Sequence, residues 1–142
     1  MQLNTNRHEF RETFRQVFKK MEENSLLTSL ESQIANVIAL HPEYHSVLKE
    51  IQNLEQDYSP EMGQANPFLH MALHLSIRDQ IQLDRPAGSR SLFETLCKKT
   101  GSPHTAEHVF LECLAETLHQ AARSGLPPDE KVYLEKLREE IN

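Results

Sequence analysis

Apolar residues recur along this chain every three or four positions, the period of an amphipathic α-helix, and no segment alternates in the manner of a strand. Phe10, Phe14, Val17, Phe18 and Met21 form the first stripe, with Asn6 and Glu9 ahead of them as a capping-box-like start. Thr28 and Glu31 open a second helix, whose stripe runs through Leu30, Ile34, Val37 and Ile38 to His41. Pro42 would clash with the carbonyl of Ile38, so the pattern predicts a break near His41 and then a short helix with His45, Leu48 and Ile51. Residues 53–65 are polar, hold Pro60 and Gly63, and read as a connecting loop. Asn66-Pro67 gives a cap and a proline at the first helical position. The helix it opens runs to about Leu83, with His70, Leu73, His74, Ile77 and Ile81 down one face.

Residues 84–88 read as a turn, followed by a helix over roughly Ser91 to Lys99 that buries Leu92, Phe93, Leu96 and Cys97 and ends at Gly101. Ser102-Pro103 opens the next helix, predicted to carry His104, His108, Leu111, Ala115, Leu118 and Ala122 on one face as far as Gly125. Pro127-Pro128-Asp129 starts the last, which shows Val132, Tyr133, Leu137 and Ile141. The expectation is an all-α fold, a single helical bundle of about six helices forming one domain over residues 1–142.

Composition narrows the class. Hydrophobic residues make up 38% and charged residues 25%, ordinary values for a globular protein. A formal charge of −6 argues against a general nucleic-acid binder, which needs clustered positive surface. No apolar stretch approaches the ~20 residues that span a bilayer, so no membrane partner is expected. Met1 to Arg15 is polar and carries acids, unlike a signal or transit peptide. Cys97 and Cys113 do not make a disulfide framework, and free thiols point to the cytoplasm.

The histidines change the picture. Six of the eight fall into three pairs spaced four apart: His41 and His45, His70 and His74, His104 and His108. On a helix that spacing stacks two rings on one face. Their neighbours are apolar, so all three pairs are expected to face the interior. Several buried imidazoles cannot all be protonated together, and a bound cation relieves both the repulsion and the unmet hydrogen-bonding need. Histidine with nearby acids suits zinc or iron. His70, His74, His104 and His108 lead the candidate ligands, followed by His41 and His45. Glu107 and Glu112 are candidate ligand or bridging carboxylates, and Asp79 and Glu43 candidates for holding a ring N–H.

Other patterns carry less. His104-Thr-Ala-Glu107-His108 matches the five-residue pattern of inverted zinc peptidases, but such a pattern is easily met and the chain is small for that class. Glu116 and His119 have the Glu-x-x-His spacing of di-iron bundles, yet a full site needs two such motifs. His8 is expected to be solvated, His119 lies too far along its helix from His108 to share a metal with it, and Cys97 and Cys113 are expected to be packing residues. No glycine-rich phosphate loop, serine elbow or Cys-x-x-Cys is present.

His41-Pro-Glu-Tyr-His45, Asn66-Pro-Phe-Leu-His70, Met71-Ala-Leu-His74, Asp84-Arg-Pro-Ala-Gly88, Ala106-Glu-His108 and Pro128-Asp129 follow one another in order. Together they resemble the domain of unknown function 1841 family of small bacterial proteins, over nearly the whole chain. The resemblance implies that all six paired histidines belong to the family pattern, and a bacterial cytoplasmic origin. It implies no reaction. His119 stands where the family usually has tryptophan, which speaks against a role in a site. Hemerythrin-like bundles offer an analogy of architecture only, since His108 with Glu112 and His74 with Asp79 echo spacings used there but the order along the chain differs.

The expected function is therefore a metal-binding helical bundle, zinc or non-haem iron. Its alternative is a metal-free interaction module with structural core histidines and an unknown protein partner. A metal-dependent hydrolase or oxygen-activating enzyme would need an open coordination position beside those histidines, so whether the chain is an enzyme stays open.

Overall fold

The structure, a computed structural model, describes residues 7–50, 58 and 66–142. The expected Asn6 cap and Ile51, and the 53–65 connection apart from Tyr58, lie outside them. Among the described residues the fold is all-α. It comprises α1 (Arg7–Glu22), α2 (Ser29–Ala39), a 3-10 turn (Pro42–Tyr44), α3 (His45–Lys49), α4 (Pro67–Leu83), α5 (Ser89–Thr100), α6 (Pro103–Ser124) and α7 (Glu130–Ile141). Among the described residues seven α-helices stand where about six were expected, and the short α3 follows the proline break as the pattern predicts.

Local chemistry explains the boundaries. At the start of α2 the Thr28 hydroxyl accepts from the Glu31 N–H at 3.1 Å, and the Glu31 carboxylate accepts from the Thr28 N–H at 2.9 Å. Asn66 Oδ1 takes the N–H groups of Phe68 and Leu69 at 3.0 and 3.1 Å, freeing Pro67 to begin α4. Ser102 caps α6 and Asp129 caps α7 in the same way. Gly101 and Gly125 end α5 and α6 at φ +76° and +73°, a conformation that favours glycine. His41, at φ −126° and ψ 63°, leaves the helical path just before Pro42, as the proline requires.

The chain divides into two compact units, Met1–Ala72 and Leu73–Asn142, and α4 runs unbroken through the division. In the first unit α1 packs on α2 and α3. Phe14, Val17, Phe18, Ile34, Val37, Ile38, Leu48, Phe68 and Met71 are its buried apolar residues. Arg11 is buried too, its guanidinium 4.9 Å above the Phe68 ring and 5.4 Å above that of Tyr58. Leu30 departs from the expected stripe: it sits in the first turn of α2, ahead of the buried run that begins at Ile34, and is 64% exposed.

In the second unit α5, α6 and α7 pack on one another around Leu73, Ile77, Leu96, Phe110, Leu114 and Leu137. The buried face of α6 is Ala106, Phe110, Leu111, Cys113, Leu114 and Thr117. That corrects the expected stripe, of which only Leu111 is fully buried, while His104, Leu118 and Ala122 are exposed. Apolar residues lie on both sides of α6, and Phe110 and Leu114, the bulkier set together, take the core side. The expectation that all the paired histidines face the interior fails for His104 for this reason.

Candidate metal centre

Pro42 stops α2 at the point where His41 is still on its buried side, and the ring is only 4% exposed. His41 Nδ1 lies 2.7 Å from the Val37 carbonyl oxygen. A carbonyl only accepts, so Nδ1 carries a proton and donates. The ring meets His70, in the first turns of α4, edge to face at 5.0 Å. Tyr44 lies flat against His41, with ring planes 3° apart and centroids at 5.4 Å, and stands 5.9 Å from His70.

One turn along α4 comes His74, 1% exposed. Its Nδ1–H donates to Glu107 Oε1 at 2.6 Å, and Arg78 Nε donates to the same oxygen at 3.1 Å. Burial pushes the Glu107 carboxyl up, but the hydrogen bond from His74 and the Arg78 guanidinium outweigh it and hold the group below the usual carboxylate range. Glu107 is therefore an ionised acceptor for the His74 N–H.

His41, His70 and His74 each offer a ring nitrogen, and these nitrogens all lie within 4.8 Å of one another. An ion held at about 2.0–2.1 Å by each would bring them to roughly 3.3 Å. The three nearby histidines could bind a metal.

The remaining expected residues lie elsewhere. His45 donates from Nε2 to the Ile38 carbonyl at 2.9 Å, with its ring 4.9 Å from that of Phe18. His104 and His108 touch at 4.4 Å, and His108 stands 5.0 Å from His74, its Nδ1–H donating to the His104 carbonyl at 3.0 Å. Glu112, Asp79, Glu43 and His119 are exposed, whereas His8 is half-buried. Burial, reinforced by Glu140 and Glu116, pushes the Cys113 thiol up to about 11, so it stays protonated at neutral pH. Sequence reasoning missed Arg78 and Tyr44. Arg78 follows His74 by one helical turn, and that spacing could have flagged it. Nothing in the sequence marks Tyr44 as a ring that stacks.

Fold and cluster together define an all-α protein with a three-histidine centre able to hold a metal. The chain belongs to the domain of unknown function 1841 (DUF1841) family, whose pattern it matches over residues 6–139. No curated protein and no solved structure matches it. Among the described residues no helix is long and apolar enough to cross a membrane.

Proposed function

We propose that this protein binds one transition-metal ion, zinc or non-haem iron, through one ring nitrogen each of His41, His70 and His74. The observation that carries the reading is the convergence of three ring nitrogens within 4.8 Å. Its support is the hydrogen bonding behind two of the rings. A backbone carbonyl on His41 and a carboxylate on His74 are the partners that metal-bound histidines use to fix the tautomer and raise basicity. Three protein ligands leave a coordination position for water or a further ligand. A bacterial cytoplasmic setting, drawn from the family resemblance and the two thiols, goes with this reading.

The test is elemental analysis of protein purified without a histidine tag or chelator and reconstituted with zinc and with ferrous iron. About one ion per chain is expected, and less than ~0.2 with either metal would sink the reading. A metal-free interaction module is the second reading. It is favoured by one observation: among the described residues, no buried side-chain nitrogen or oxygen lacks a hydrogen-bond partner. It requires a melting temperature indifferent to chelator and to added metal.

A further inference from the structure

Helix α6 is 22 residues long, and one of its sides changes character along it. Leu111, Ala115, Leu118 and Ala122 follow one another at intervals of four, three and four, which sets them in a single row. Leu111 belongs to the core of the second unit and is buried. Further along the row Leu118 is 39% exposed and Ala122 is exposed, and Leu126, just past the Gly125 cap, is 68% exposed. The helix meets its own core on another side there, through Cys113, Leu114 and Thr117. A charged strip borders the row, and its signs are ordered. Glu112 and Glu116 come first, then His119 and Arg123, all four exposed and within about 60° of one another around a helix of 3.6 residues per turn. Lys136 donates to Glu116 at 2.8 Å, and the Glu116 side chain stays exposed.

We propose that this face seats a second copy of the chain, docked antiparallel along α6 in a two-fold dimer. A two-fold axis across the seam brings the same strip of both helices together with the direction reversed. Acid then meets base. With the axis level with the step from Thr117 to Leu118, Glu112 faces the partner's Arg123 and Glu116 faces the partner's His119, because each pair is placed symmetrically about that step. An imidazole N–H donates to a carboxylate in either charge state, so the second pair holds at neutral pH. A parallel pairing would instead set Glu112 on Glu112 and Arg123 on Arg123, which is repulsive. Small side chains at Ala115 and Ala122 let the two helix axes come close. Leu118 then lies at the centre of the contact, where water is excluded first. From Glu112 to Arg123 the seam is about 16 Å long at 1.5 Å per residue. That length belongs to small, transient interfaces and not to obligate ones, so the dimer forms in concentrated protein.

Sedimentation velocity of the full chain, diluted in steps from about 0.5 mM, reads the monomer–dimer equilibrium expected of a small interface. Leu118→Glu should raise the dimer Kd about tenfold or more, and Arg123→Glu about fivefold. Both positions are exposed, so helical circular dichroism should not change. Glu112→Arg combined with Arg123→Glu should return the Kd to within about twofold of wild type, since exchanging the signs again sets acid opposite base. That rescue keeps the proposal testable even if Leu118→Glu folds poorly. A wild-type chain that stays monomeric at the highest concentration would overturn the dimer. So would a dimer that a folded Leu118→Glu leaves intact, which would seat the second copy on another surface, such as the one carrying exposed Leu30. A double variant no tighter than Arg123→Glu alone would overturn the antiparallel pairing.

Discussion

At the scale of single residues, the pairing of His74 with Glu107 has the clearest consequence. Glu107→Gln keeps the shape and an oxygen able to accept the His74 N–H, but removes the negative charge. Zinc affinity, measured by competition with a chromophoric chelator, is expected to fall ~10–100-fold, while the apo protein keeps its helical circular dichroism. An unchanged affinity would mean that Glu107 is scaffolding. The candidate histidines were legible from their four-residue spacing, because helical geometry ties spacing to face. Their grouping was not. His41 and His45 share the spacing, but Pro42 turns the chain between them, and His45 ends on the Ile38 carbonyl. His104 shares it with His108 yet lies exposed, since the face of α6 that goes inward is decided by what α5 and α7 present to it. Glu107 came into view as a candidate ligand; only the tertiary structure sets it against His74 Nδ1.

At the scale of elements, the caps carry the predictions. Thr28→Ala removes the hydroxyl that accepts from the Glu31 N–H at the start of α2 and should cost ~1 kcal/mol in chemical denaturation. Glu31 in the same motif is held below its usual carboxyl range, chiefly by its hydrogen bond from Lys20 and by that from the Thr28 N–H. A lowered folded value means stabilisation that is present above the unfolded pKa, about 4.3 for a glutamate. It is lost as pH falls through the folded value. Melting temperature should therefore drop more steeply below about pH 4 in wild type than in Glu31→Gln; parallel curves would remove the capping box as an acid-sensitive feature. Caps and breaks are legible because they depend on neighbours in sequence: Thr28, Asn66, Ser102 and Asp129 all cap where the pattern places them. The inward face of α6 depends on distant residues, and a helix with apolar groups on both sides does not declare it.

At the scale of the whole molecule, metal occupancy and folding should be linked. A ligand present at about 1,000 times its Kd contributes ~4 kcal/mol to the native state if the unfolded chain lacks the site. Saturating zinc should accordingly raise the melting temperature of wild type and leave that of His74→Ala nearly unmoved, with exposed His119→Ala following wild type. Equal response of the two variants would place the ion away from His74. One further property follows from the ring of Tyr44 lying flat on His41. The chain has three tyrosines and no tryptophan, so its ultraviolet fluorescence is tyrosine emission alone, unmasked by energy transfer to indole. A paramagnetic ion such as Co²⁺ seated at His41 would lie within quenching range of Tyr44. The protein thus carries its own optical label for the centre, and filling or emptying it can be followed in real time on the unmodified chain.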